Sequence, residues 1–527
     1  MEDPVARLTR TVKWLQDTKQ TPSLFFVFSR RECERLAGLV PGSLIDSTDA
    51  ASVKHIFDFH LSRHRKTLEK SAQYHQIRDL LCRGIAFHHS GLQPLLKEMV
   101  EILFTRGFVK VLFATETFSV GLNMPTKTVV FLELEKWSDG GVRRLLRADE
   151  YIQMAGRAGR RGLDTQGLVL YEPLREPIDA TDLRGLLTGA LPPLQSRMRF
   201  HYNFILKHRL TGGKLNIAEQ SYWASQKKAE RAALTTEIEV AEKTVVSRQE
   251  ALTPIEEGWI ADMEILAETV AKTKKAAQKK AQQALDAYLL EHGGPALESA
   301  KLKIKLLREA TENRDKLVKS AEAWDAAPLL SLAPLEQCLT EWGFLEGSGL
   351  TPLGVSATEF NEGHPILMSL LADSGRAANI PADELPCVLA AFLQEGGGSA
   401  DSAPPLSAAD LGKTAEKTLH WLDACSIECQ MDEDAAGLFA PNGYWSLSSL
   451  WVCVASRWIC GAGLSEIASE FGLFEGNVQR GLLRIANLLE EWGAVATIRT
   501  DLAMLEKLRS LKFLRDDVIV DSLYLRL

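Results

Sequence analysis

The string YIQMAGRAGRRGLDTQG at Tyr151–Gly167 concentrates side chains suited to a charge-dense anion. Placed on a helix, Gln153, Gly156 and Arg157 cluster at i, i+3 and i+4, and Arg160 adds one further turn to that face. Two planar guanidiniums three residues apart match a polyphosphate: one binds the ground state while the other stabilises a phosphoryl group in transfer. Gly156 and Gly159 remove side chains where Ala would be the better helix former. That cost makes sense where a ligand or another backbone comes close.

Three other segments place small polar or basic residues directly after an apolar run. FATETFSVGLNMP at Phe113–Pro125 puts Thr115, Thr117, Gly121 and Asn123 in a loop, and FHHSGL at Phe87–Leu92 has the same form. VFSRRECERLA at Val27–Ala37 carries a hydroxyl and the adjacent arginines Arg30 and Arg31 into a helix. Such residues belong at the carboxyl edge of a parallel sheet, where ligands of α/β folds bind. The His88–His89 pair has no Cys or carboxylate at ligand spacing, so the reading includes no metal.

The elements that must position these residues are legible as patterns. Continuous apolar runs at Ser23–Phe28, Ile85–Ser90, Val109–Thr115, Thr128–Leu134 and Gly167–Tyr171 are spaced by helical stretches, which predicts buried parallel strands. The stretch 47–81 reads as a helical insertion. An α/β domain is therefore expected over residues 1–190. A small helical segment is expected over 191–222, from the apolar spacing in PPLQSRMRFHYNFILKHRL. Residues 223–328, rich in Ala, Lys, Glu and Gln, predict a solvated helical hairpin, with the basic run Lys272–Lys280 on its surface. A helical domain fills 329–527, interrupted by the small-residue loop Gln394–Pro405.

The whole chain of 527 residues, 46% hydrophobic and 25% charged, is too long for one core and too apolar for wholesale disorder. No apolar run reaches the ~20 residues of a spanning helix, and the start MEDPVARLTR is unlike a signal peptide. Eight Cys without dense spacing suit a reducing intracellular compartment, cytoplasm or nucleus with an organelle left open, rather than a disulfide scaffold. A net charge of −8 leaves nucleic-acid binding to local basic strips.

In their order and spacing, VFSRRECE, FHHSGLQPLLKEMVEILFTRGFVKVLFATETFSVGLNMPTKTVVF and EYIQMAGRAGRRGLDTQG resemble the second RecA-like domain of superfamily-two helicases, specifically the exosome-associated superkiller-type DExH RNA helicases. SRMRFHYNFILKHRL is similar to that family's winged helix. NEGHPILMSLL and WICGAGLSEIASEFGLFEGNVQRGLLRIANLLEEW, with the ending DSLYLRL, resemble its helical ratchet domain. The resemblance implies ATP with Mg²⁺ as cofactors and RNA as substrate, with an RNA-decay complex such as the exosome as partner. By it, Gln153, Arg157 and Arg160 contact the nucleotide phosphates beside Gly156, and Gly121 with Asn123 the ribose side. Gly91 and Thr115 hold the RNA backbone, and Arg480 faces the bases. DNA-repair relatives usually carry Pro in place of Arg161 and Ala in place of Ser90, so the RNA branch is favoured.

Two departures matter. No G-x-x-x-x-G-K-[ST] is present; LGKT at Leu411–Thr414 has Ser407 where the first Gly should stand, and neither DEYI nor DELP follows a strand. The expectation is a half-site lacking the first RecA-like domain, with the Mg²⁺ ligands on that absent domain and no ATP turnover by the chain alone. The insertion reads as helical throughout, without the β-rich tip of exosome-bound relatives. The competing readings are a non-catalytic RNA-binding scaffold and a DNA-repair helicase.

Overall fold

The computed structural model describes residues 3–119, 126–137, 142–160, 162–191, 194, 196, 201–212, 220–326, 332–393, 404–438 and 443–524. Gly121, Asn123 and Arg161 lie outside these residues, as do most of the loop Gln394–Pro405 and much of the segment leading into Tyr202.

Seven strands precede residue 172: β1 (Ser23–Phe26), β2 (Ile85–His88), β3 (Val111–Ala114), β4 (Thr128–Phe131), β5 (Glu135–Trp137), β6 (Arg143–Leu145) and β7 (Leu168–Tyr171). Five form a wholly parallel sheet in the order β2-β3-β1-β4-β7, while β5 and β6 make an antiparallel ribbon. The apolar runs of β1, β2, β3 and β4 are buried at every position. That explains their lack of alternation, since both faces are covered by helices. The insertion between β1 and β2 is helical, at Ser47–Leu61, Arg65–Leu68 and Ala72–Cys82.

The chain divides into two compact units. The larger holds residues 1–193, 201–211 and 334–527. Its α/β core includes Ile519 and Leu523, so these residues are part of the packing around the sheet. The helix Tyr202–Leu210 also belongs here, because Tyr202 is buried against Trp342 and Trp445. A helix of nine residues cannot bury its apolar side alone and joins the neighbouring core.

The smaller unit, residues 194–200 and 212–333, contains long helices at Tyr222–Glu250, Pro254–Lys272, Ala276–His292 and Pro295–Ala326. Ile260, Leu297 and Ala300 form its small core, ringed by Trp259, Met263, Leu289 and Ile304. Thr253 and Glu256 make a capping box at the start of the second helix. Among the described residues no strand lies in this unit.

Candidate nucleotide and nucleic-acid interface

The helix Ala148–Ala155 starts with Asp149 and Glu150 in its first turn, as the dipole prefers. Glu150 accepts the backbone N–H of Arg147 at 2.9 Å and also holds Arg144 and Lys136. The helix ends at Gly156, earlier than the sequence pattern suggests. Gln153 is exposed on its last turn, whereas Arg157 and Arg160 sit in the turns beyond it.

The helical face is broken because Gly159 takes φ +90°, a conformation side chains disfavour. A Cβ there would lie 3.2 Å from the Gly167 backbone, and one on Gly167 would lie 2.5 Å from the Ala158 carbonyl. The close approach expected at Gly159 is thus the chain entering β7, whereas a Cβ on Gly156 would meet only carbonyls of its own helix. Thr126 locks the turn: its N–H donates to the Arg157 carbonyl at 2.9 Å, and its own carbonyl accepts from Gly159 at 2.7 Å.

Arg160 is clamped by Asp164, whose carboxylate accepts its backbone N–H at 3.0 Å, Nε at 2.7 Å and Nη2 at 2.9 Å. These bonds hold the Asp164 carboxyl down to about 2, from its ordinary 3.8. A depressed carboxyl stabilises the fold above its unfolded value and loses that contribution as the pH falls from about 3.8 toward 2. Asp164→Ala should therefore lower stability by about 2 kcal/mol at pH 7, with the difference vanishing below pH ~2. Urea unfolding at pH 7 checks the first part, and an acid titration of both proteins checks the second.

Gly91 and Thr115 follow the adjacent strands β2 and β3 and so share the carboxyl edge. The Thr115 N–H donates to the His88 carbonyl at 3.3 Å, and its hydroxyl lies 3.0 Å from that of Thr117. The Gly91 N–H donates to His89 Nδ1 at 3.0 Å, and its carbonyl accepts from Gln73 Nε2 at 3.1 Å and from Gly476 N–H at 3.2 Å. A Cβ on Gly91 would meet the Phe474 ring at 2.6 Å, and one on Gly476 would meet the Leu92 carbonyl at 2.1 Å. The helix Glu475–Ile498 is thereby docked end-on against this edge. Glu475 completes the joint, buried and accepting from Ser71, from Gln93 Nε2 at 2.6 Å and from Ser465 at 2.5 Å.

This docking places Arg480 one turn along that helix, half-buried, its Nη2 donating to Asn477 Oδ1 at 2.7 Å. Burial, and then the like charge of Arg30, lower its pKa from the ordinary 12.5. Arg30 lies over the Phe474 ring, 6.0 Å from its centroid. Among the described residues neither guanidinium has a carboxylate within ion-pair distance. Two cations brought together without an acid beside an aromatic ring suit a phosphate backbone and its bases.

The predicted site residues thus separate into two groups. Arg157 and Arg160 lie where Thr126 precedes β4 and Gly167 precedes β7, at the amino edge of the sheet, directly after Gly156 and the helix turn that carries Gln153. Gly91, Thr115 and Arg480 gather at the carboxyl edge of β2 and β3. The sequence reading placed Arg30 among the arginines of a strand-to-helix junction without a specific role, and assigned none to Phe474, Glu475 or Asp164. The acid four residues after Arg160 was a visible signal for Asp164; the others lie hundreds of residues from their partners.

Residues 43–162 match the family described as helicase conserved C-terminal domain, and residues 347–519 match the DSHCT (NUC185) domain. Among curated relatives, the chain is 42% identical over 196 residues to Antiviral helicase SKI2 of Saccharomyces cerevisiae and 44% identical over 198 residues to ATP-dependent RNA helicase mtr4 of Schizosaccharomyces pombe. It is 44% identical over 193 residues to Superkiller complex protein 2 of Homo sapiens. These matches cover 36% to 37% of this chain and 15% to 18% of the relatives' own lengths. Both domains are matched in chain order on a parallel-sheet core, and over these segments the chain is similar to superkiller-type and mtr4-type RNA helicases.

Proposed function

We propose that the chain is the C-terminal half of an ATP-dependent helicase that unwinds or remodels RNA for processing or decay. In this reading the winged-helix segment and the helical ratchet domain stand behind the second RecA-like domain. The single observation that carries it is that Arg480, at the helix end docked beside Gly91, feels the like charge of Arg30 over Phe474, and among the described residues neither has a carboxylate within ion-pair distance. Gln153, Arg157 and Arg160 would face the phosphates of ATP, and Gly121 with Asn123 its ribose. The phosphate-binding loop and the Mg²⁺ ligands would come from a first RecA-like domain in cis or in trans, because the 527 residues contain no P-loop. An RNA-decay complex such as the exosome is the fitting partner in a cytoplasmic or nuclear setting. Among the described residues no helix is long and apolar enough to cross a membrane.

The test is binding of a labelled single-stranded RNA across a salt series, with DNA of the same sequence in parallel. Affinity should fall steeply with salt, and Arg480→Ala should weaken it about tenfold and reduce the salt slope by about one. Equal or stronger binding to DNA would favour the DNA-repair reading, since the 2′-hydroxyl is the handle that tells RNA from DNA. No binding at low salt would overturn the proposal.

A further inference from the structure

The last described residues are built into the α/β domain rather than trailing from it. Leu523 is 1% exposed and Ile519 7%, both within the core around the sheet. Gln479, on the docked helix, donates its Nε2 to the Ile519 carbonyl at 2.6 Å. Asp521 lies 2.9 Å from His64 Nε2. Glu98 accepts the Ser522 hydroxyl at 2.9 Å and the Leu523 N–H at 2.5 Å.

One contact of this strap reaches inward. The Tyr524 hydroxyl donates to Glu101 Oε2 at 2.5 Å, and the other Glu101 oxygen accepts from His88 Nε2 at 2.7 Å. Glu101 is 4% exposed and His88 1%, so the carboxylate has exchanged water for two side-chain donors. Burial keeps the imidazole below its ordinary value and therefore neutral, so the bond is an N–H donated to a carboxylate rather than an ion pair. The edge of the His88 ring meets Phe118, centroids 4.8 Å apart, and the His88 carbonyl accepts the Thr115 N–H. Phe118 closes the short 3₁₀ turn Glu116–Ser119 by donating its N–H to the Thr115 carbonyl at 3.1 Å. From that turn, Glu116 holds Lys136 at 2.5 Å, and Lys136 holds Glu150 at 2.9 Å, in the first turn of the helix bearing Gln153.

We infer that Tyr524 is a positioning residue for the Thr115–Ser119 turn, acting through Glu101 and His88. The hydroxyl fixes which way the Glu101 carboxylate faces. The carboxylate orients the imidazole, and the ring with its carbonyl sets the turn that presents Thr115. The inference deepens the RNA-helicase reading, which assigns Thr115 to the RNA backbone, and rests on it only for the functional consequence.

The test is Tyr524→Phe in the full chain, which removes the hydroxyl and keeps the ring, with Glu101→Gln as second variant. Two measurements are made: amide hydrogen exchange by peptide, and affinity for a single-stranded RNA. Exchange across residues 113–119 is expected to accelerate about tenfold in Tyr524→Phe, with RNA affinity reduced about three- to tenfold. A tail that was only a latch would loosen residues 519–524 and the helix Pro94–Thr105 while leaving 113–119 unchanged, and that result would overturn the inference. If Tyr524→Phe failed to fold, Glu101→Gln would decide, since it weakens both bonds at the centre of the network. Should the unsubstituted chain bind no RNA, the helicase reading fails, while exchange at 113–119 still decides the positioning role.

Discussion

Arg157→Ala is expected to lower RNA-stimulated ATP turnover about 10³-fold once the chain is joined to a P-loop-bearing RecA-like domain, with RNA affinity within about twofold of the parent. The size follows from what a guanidinium does in phosphoryl transfer: it meets charge that develops only at the transition state, so its loss falls on kcat rather than on binding. The backbone of Arg157 is pre-placed by Thr126, and the absence of side chains at Gly159 and Gly167 lets the turn close. Arg157→Lys should rescue little, because a compact ammonium lacks the planar fork. Steady-state ATPase at saturating RNA is the measurement. An unchanged kcat in Arg157→Ala would return the scaffold reading. The chain by itself is expected to show no turnover.

Glu475→Ala is expected to destabilise the joint between the α/β domain and the helix Glu475–Ile498 by about 3 kcal/mol. The carboxylate is 5% exposed and satisfies Ser71, Gln93 and Ser465 together, so removing it strands three donors within a packed boundary. Gly476→Val should have a comparable effect by a different cause, since even its Cβ would lie 2.1 Å from the Leu92 carbonyl. In chemical denaturation either change should turn a concerted transition into two, with loss of RNA affinity because Arg480 is no longer held near Arg30. A single transition at the parent midpoint in both variants would show that this joint carries little of the coupling.

The strands that build the sheet were readable because burial on both faces leaves an unbroken apolar run, and Ser23–Phe26, Ile85–His88, Val111–Ala114 and Thr128–Phe131 are such runs. The Arg157–Arg160 spacing was equally plain, but its geometry was misread. A helical pattern carried through Gly156 and Gly159 put Arg160 on the helix, whereas the positive φ at Gly159 sends it into a turn, and Asp164 takes the guanidinium. Sequence spacing could not foresee that outcome, because the helix is ended by contact with Thr126 and Gly167 from other parts of the sheet.

What the sequence determined by itself is local: which runs are buried strands, where glycines permit close approach, and which segments carry phosphate-suited side chains. Those properties follow from neighbouring residues through backbone sterics and hydrophobic periodicity. Only the tertiary structure decided that the candidate residues fall at two opposite edges of the sheet, that Gly91 receives Phe474 and Gly476, and that Arg480 stands near Arg30. The same holds for Tyr524, which is 423 positions from Glu101. Contacts over such separations leave no periodicity to read, since they depend on how buried surfaces complete one another's hydrogen bonds, and that is settled only when the whole chain has folded.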